Sequence, residues 1–169
     1  PANIVDEMES IYDTCNGYYS FSDDVLTLHE KRSIELCDEI LRRGLRVRWS
    51  GMTRVDIISE KLISKLAAAG CHDLYFGVES GSERVLTEII NKPYQKLSRV
   101  RKAITKLRDR DFYIRAAFII GFPGETKAEI LESVKFMKEA GFNWVAVLIA
   151  SPIAGSALYE YCKKHDLLI

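Results

Sequence analysis

The sequence has no excess of charge of either sign, because its 24 basic side chains are balanced by 24 acidic ones. Proteins that bind nucleic acids or anionic membranes through a basic surface carry a surplus of lysine and arginine. The overall charge therefore gives no support for a nucleic acid or a membrane as a partner, and only a local basic patch could bind either of them.

Long apolar runs are also absent. No stretch approaches the roughly 20 residues that a membrane-spanning helix needs. The first residues, 1–15, predict an acidic amphipathic helix and not a signal peptide. We therefore expect a cytoplasmic protein. No linker or low-complexity segment divides the 169 residues, so we expect one domain over residues 1–169.

The cysteines form no motif. A metal site normally places two thiolates a few residues apart, and a disulfide framework normally accompanies a secretory signal. Neither applies to the four cysteines, which are Cys15, Cys37, Cys71 and Cys162. The pattern favours free thiols, and we assign no metal ligand.

What the sequence does contain is a regular alternation of strand and helix patterns. Strand-like runs start near residues 18, 45, 74, 113 and 143, with a helical pattern between each pair. Such crossovers make parallel strands. The chain is therefore predicted to be an α/β protein, either an open doubly wound sheet or part of a TIM-barrel-like (βα) barrel with outer helices, since five strands do not close an eight-stranded barrel.

The clearest strand–turn–helix unit is Phe112–Thr126, with sequence FYIRAAFIIGFPGET. An apolar run ends abruptly at three turn-forming residues, Gly121, Pro123 and Gly124, and a helical pattern follows. A glycine-rich turn at the carboxyl end of a parallel strand lets a ligand approach bare backbone. We therefore expect a ligand at this end of the sheet.

Polar residues or glycines follow nearly every strand and share that rim; among them are Asp23, Asp24, Arg54, Glu79, Ser80, Gly121, Gly124, Glu125, Pro152 and Gly155. Each alone is explained by a turn or a helix cap. Charges gathered at one rim are costly without a polar ligand, so we expect these residues to surround a single hollow. Arg54 suits a ligand carboxylate, whereas Arg115, early in its strand, suits a structural ion pair.

The order of these motifs resembles a known family. FSDD, WSGMTR, AAGCHDLYFGVESGSERVL, FIIGFPGET and SPIAGSALY are similar, in that order, to the core of radical S-adenosylmethionine enzymes, especially the group that often carries a cobalamin-binding domain. The resemblance covers nearly the whole chain. Its most specific parts are GVESGSERVL and FIIGFPGET.

The resemblance implies a partial (βα) barrel of six parallel strands whose cofactor lies across the carboxyl-end rim. It also implies a CxxxCxxC loop after the first strand, which holds a four-iron four-sulfur cluster that cleaves S-adenosylmethionine to a 5'-deoxyadenosyl radical. Neither that loop nor a matching cysteine occurs in this sequence. We therefore expect a core fragment with the first strand missing, inactive by itself, from an active parent.

The resemblance also assigns roles by position. Asp23 and Asp24 match residues near the methionine amino group, although the family more often has Gly-Gly-Glu there. Glu79 and Ser80 match residues near the ribose and the carboxylate. The backbone of Gly121, Phe122, Pro123, Gly124 and Glu125 matches the turn against the adenine, and Pro152 and Gly155 match the turn after the last strand. Arg54 matches a basic position without a fixed role, and no catalytic residue is assigned.

Two other functions stay open at this point. A metabolic (βα) barrel binds phosphate through a glycine-rich loop after a late strand, which GFPGET could imitate. A non-catalytic scaffold domain would keep the fold without the cluster.

The substrate is not indicated, so methyl transfer, ring formation and thiol insertion are all compatible with the sequence. An exposed sheet edge at residues 18–22 predicts self-association.

Overall fold

The computed structural model describes residues 1–168 and contains one parallel sheet that curls as half of a barrel. Its strands are β1 (Tyr18–Ser20), β2 (Arg48–Thr53), β3 (Cys71–Glu79), β4 (Tyr113–Ile120) and β5 (Trp144–Ile149). The order in the sheet is β1-β2-β3-β4-β5, the same as in the chain. A doubly wound sheet reverses its order at a switch point, and this one does not. The partial-barrel prediction is therefore confirmed.

Helices precede or follow each strand. They are α1 (Ala2–Ser10), α2 (Tyr12–Cys15), α3 (Glu30–Arg42), α4 (Glu60–Ala68), α5 (Leu97–Arg108), α6 (Lys127–Ala140) and α7 (Ala157–Lys164). A 3-10 turn covers Val55–Ile57, and a single π-helical turn covers Val85–Ile89. No helix within residues 1–168 is long and apolar enough to cross a bilayer.

The strand predicted near residue 45 begins later than the sequence pattern suggested. Strand β2 starts at Arg48, whose N–H donates to Gly17, and Trp49 N–H donates to Gly70. Gly17 and Gly70 directly precede β1 and β3. The ladder therefore starts where the neighbouring strands supply partners, even though the apolar alternation in the sequence starts earlier.

The core lies between the sheet and its helices. Phe118 of β4 is fully buried, and its ring centroid lies 6.3 Å from that of Phe136 on α6 and 5.9 Å from that of Phe142. Side chains alternate along a strand, so Arg115 and Ala117 face the opposite, concave side. There Arg115 donates from Nε to Asp73 at 2.8 Å. The structural ion pair predicted for Arg115 is confirmed.

Candidate functional site

A cavity of about 280 Å³ opens at the carboxyl ends of the strands. Its wall includes three of the residues singled out in the sequence, namely Asp24 after β1, Arg54 after β2 and Glu79 at the end of β3. Lys92 and Tyr94, which follow the π-helical turn, also line it. The rim thus brings together residues that are up to 70 positions apart in the chain.

Glu79 has an unusual backbone. Its φ of +68° is rare for a residue with a side chain, and its carboxylate Oε1 accepts a hydrogen bond from Lys92 Nζ at 2.8 Å. A Cβ atom added to Gly77 would lie 2.5 Å from that same oxygen. Gly77 therefore leaves the space into which the Glu79 side chain folds, on the concave side of β3.

Arg54 is held by its own loop. Its Nε and Nη2 donate to the two carboxylate oxygens of Asp56 at 3.0 and 2.8 Å, and the guanidinium lies 4.5 Å from the centre of the Tyr94 ring. Hydrogen bonding to Asp56 raises the pKa of Arg54. The bidentate face of Arg54 is therefore occupied by Asp56, and among the described residues Nη1 makes no side-chain hydrogen bond.

The ionisable side chains that line this cavity balance each other. Two of them are acidic, Asp24 and Glu79, and two are basic, Arg54 and Lys92. A zwitterionic ligand suits such a wall better than a dianion does, because each of its charges finds an opposite one at short range.

The turn after β4 is closed by its own acid. Oε2 of Glu125 accepts hydrogen bonds from the N–H of Gly121 at 2.6 Å and of Phe122 at 3.3 Å. Gly121 and Gly124 have φ values of +84° and +82°, which explains the two glycines of the motif. Oε1 of Glu125 is buried without a hydrogen-bond partner among the described residues. The carboxylate of Glu125 therefore holds the turn in one conformation, and the two glycines leave its backbone uncovered by side chains.

The residues expected to surround a single hollow do not all line the same cavity. Phe122 and Pro123 line a second cavity of about 320 Å³ with α7, separate from the one that contains Glu79. Ser80 is fully buried, and its hydroxyl lies 3.2 Å from that of Ser133 on α6. Asp23, Pro152 and Gly155 are exposed in the turns after β1 and β5 and line neither cavity. The predicted residues share one rim but occupy several sites along it.

The residues of this chain do not fit an iron–sulfur cluster. Within residues 1–168 no group of three or more His, Cys, Asp and Glu side chains is placed to hold a metal. All four cysteines are free thiols, as the sequence predicted, and three of them are buried. Burial raises the pKa of Cys37 to about 12 and that of Cys71 well above its ordinary value, so neither is a ready thiolate ligand.

A parallel half-barrel with polar residues and a glycine-rich turn at its carboxyl-end rim is typical of (βα)-barrel proteins, a class that binds ligands at that rim. Residues 1–149 match the model of the radical SAM superfamily. The chain belongs to this superfamily.

Three similar proteins illustrate the family. An "uncharacterized methyltransferase" of Pyrococcus horikoshii is 36% identical over 152 residues, which cover 88% of this chain and 32% of that protein. The cytidylyl-2-hydroxyethylphosphonate methyltransferase of Streptomyces wedmorensis is 31% identical over 98% of this chain and 32% of its own length. The solved structure of the methyltransferase TsrM from Kitasatospora setae, with cobalamin and a [4Fe-4S] cluster bound, superposes with a TM-score of 0.82 at 21% identity, over 90% of this chain and 31% of TsrM. The chain thus spans about a third of each protein.

Sequence reasoning missed several residues of the rim. Lys92 and Tyr94 belong to the stretch NKPYQK, which has no periodic pattern that indicates a ligand site. Gly77 was hidden inside an apolar strand pattern. Arg84 and Glu129 lie in or next to the two most specific motifs, but no periodic pattern reveals that two residues 45 positions apart are in contact.

Proposed function

We propose that the cavity next to Glu79 and the turn after β4 together bind S-adenosylmethionine, and that the whole protein is a radical S-adenosylmethionine enzyme. The observation that carries this proposal is the balanced set of two acids and two bases in the cavity wall. The methionine part of S-adenosylmethionine has an ammonium, a carboxylate and a sulfonium group, and such a wall supplies opposite charges for all of them.

Each part of the rim has a proposed task. Asp24 and Glu79 attract the ammonium and sulfonium groups, and Lys92 and the free Nη1 of Arg54 attract the carboxylate. The turn of Gly121–Gly124 presents bare backbone to the adenine ring. In this family S-adenosylmethionine bound at an iron–sulfur cluster supplies a 5'-deoxyadenosyl radical. Since no cluster ligands are found among residues 1–168, we propose that residues 1–169 by themselves bind the molecule without cleaving it.

Methyl transfer is the reaction that we propose for the whole protein, with cobalamin held in a separate domain. The support is that two relatives above 30% identity are methyltransferases by name, and that the superposed TsrM structure contains cobalamin. Transfer of the methyl group leaves S-adenosylhomocysteine, and reductive cleavage of a second S-adenosylmethionine leaves 5'-deoxyadenosine, so we expect both products from a radical methyltransferase, and 5'-deoxyadenosine alone would contradict methyl transfer. Mass spectrometry of both products after incubation of the full-length protein with S-adenosylmethionine, cobalamin and a reductant tests this assignment.

Calorimetric titration separates the proposed ligand from the alternatives. We expect S-adenosylmethionine to bind with one site per chain and inorganic phosphate not to bind. Binding of phosphate without S-adenosylmethionine would favour the phosphate-binding barrel, and binding of neither would favour a scaffold domain. Addition of iron, sulfide, reductant and S-adenosylmethionine to residues 1–169 should yield no 5'-deoxyadenosine, and its formation would overturn the proposal that they lack a cluster site.

A further inference from the structure

The two most specific motifs of the sequence are joined by one arginine. Arg84, from SGSER after β3, donates from Nε to Oε1 of Glu129 at 2.6 Å and from Nη2 to Oε2 at 2.9 Å. The same Nη2 donates to the carbonyl oxygen of Gly124 at 2.8 Å. Arg84 therefore contacts both the first turn of α6 and the glycine-rich turn that precedes it.

Glu129 has a second task at the start of α6. Its Oε2 accepts hydrogen bonds at 2.8 Å from the N–H and from the hydroxyl of Thr126, and Thr126 Oγ1 accepts from the N–H of Glu129 at 3.3 Å. This reciprocal pair is a capping box. The side chain of Glu129 is only 10% exposed, so the carboxylate is fixed on one side by the helix and on the other by Arg84.

The loop that carries Arg84 is itself fastened to α6. The N–H of Gly81 donates to Ser133 Oγ at 2.8 Å, and a Cβ atom on Gly81 would lie 2.6 Å from Ser133 Cα. The loop therefore touches the helix backbone directly. Because this contact fixes the loop on α6, it also fixes the position from which Arg84 donates to the Gly124 carbonyl.

We propose that Arg84 is a positioning residue for S-adenosylmethionine, which it influences through the Gly124 carbonyl and through Glu129. This inference rests on the proposed function. The turn of Gly121–Gly124 has two tethers, the Glu125 carboxylate at its start and Arg84 at its end. A turn with two glycines at positive φ has many conformations once a tether is lost, and a ligand that needs one of them then binds less tightly. A backbone held in place before binding avoids that loss.

The variant Arg84→Met removes the donors but keeps the length of the side chain. We expect its dissociation constant for S-adenosylmethionine to rise about tenfold, and the amides of Gly121 and Phe122 to exchange faster in NMR. Glu129→Gln keeps an oxygen for the capping box and removes the ion pair, so we expect a smaller change in the same direction. Arg84→Lys retains one donor and should restore part of the affinity.

Arg101→Met is the matched control. Arg101 donates to Glu139 at 3.1 Å between α5 and α6, and its side chain is 43% exposed against 41% for Arg84, but it lies away from the rim turn. Each variant loses one ion pair to α6, so we expect similar melting temperatures for the two. Only Arg101→Met should keep the affinity of the wild type for S-adenosylmethionine. An Arg84→Met protein with unchanged affinity and exchange, or an equal loss in Arg101→Met, would overturn the inference. Failure of the wild type to bind S-adenosylmethionine would instead overturn the proposed function, and the positioning role with it.

Discussion

Lys92 Nζ lies 2.8 Å from Oε1 of Glu79, so the loop after the π-helical turn is tied to the last residue of β3. Glu79 adopts a φ of +68°, which costs about 1–2 kcal/mol in a residue with a side chain. The ion pair and the space above Gly77 offset that strain locally. Strained residues with a fixed charge are typical of ligand sites, so this pair is the natural target for a first substitution.

Glu79→Gln should weaken S-adenosylmethionine binding by about 10- to 100-fold, because a charge-assisted hydrogen bond contributes about 1.5–3 kcal/mol. The amide keeps the size of the side chain but leaves Lys92 as an unbalanced cation near the sulfonium. Isothermal titration calorimetry measures the effect. Glu132→Gln, on the exposed face of α6, is the control and should bind as the wild type does. Equal affinities for all three proteins would contradict the assignment of Glu79.

The pH dependence of stability should reveal the tie between Arg84 and Glu129. Hydrogen bonds from Arg84 and then from Thr126 lower the pKa of Glu129 from 4.5 to about 2. A depressed pKa in the folded state means that the stabilisation is complete above pH 4.5 and is lost as the pH falls toward 2. In urea unfolding at a series of pH values, Glu129→Gln should therefore differ from the wild type by a constant amount above pH 5 and by less below it.

Glu39→Gln serves as the positive control for that titration. Hydrogen bonds from Arg42 and Arg43 also lower the pKa of Glu39 to about 2, but Glu39 lies on α3, away from the glycine-rich turn. We expect the same acid profile with unchanged affinity for S-adenosylmethionine. A Glu129→Gln profile parallel to that of the wild type down to pH 2 would show that the pair does not stabilise the fold.

Two glycines with similar backbone angles should differ strongly in their tolerance of a side chain. Gly70 has a φ of +86°, and a Cβ atom there would lie 2.0 Å from the carbonyl oxygen of Val47. Gly44 has a φ of +67° but open space around it. Gly70→Ala should lower the free energy of unfolding by about 3–5 kcal/mol, from overpacking plus backbone strain, and Gly44→Ala by about 1 kcal/mol. Urea unfolding of the two variants checks this order, and equal losses would contradict it.

The sequence allowed the prediction of features that depend on local periodicity. The strand around Phe118, the glycine-rich turn after it and the parallel order of the strands all follow from the spacing of apolar residues and turn formers. The assignment of both Glu79 and Ser80 to one site ignored the alternation of side chains in a strand. Glu79 lines the cavity, whereas Ser80 packs on α6. Contacts such as Lys92 with Glu79 depend on how loops meet in space, and no local pattern encodes them.

We expect self-association through the open edge of β1, and the opposite edge of the sheet supplies the control. Within residues 1–168 strand β1 pairs with β2 alone, Tyr18 is 55% exposed, and an apolar cavity of about 310 Å³ lies beside it. An open strand edge is a template for another strand, and a charge on it blocks pairing. In sedimentation velocity over a broad concentration range we expect the wild type to associate and Tyr18→Lys to remain monomeric.

The opposite edge, β5, exposes apolar side chains too, with Val147 at 51% and Ile149 at 75%. Val147→Lys is therefore the matched variant, because it places the same charge on the other edge strand. If β1 is the contact, Val147→Lys should associate as the wild type does, since its substitution leaves the Tyr18 edge open. Association that is lost in Val147→Lys and kept in Tyr18→Lys would assign the contact to β5, and a wild type that is monomeric at every concentration would exclude both edges.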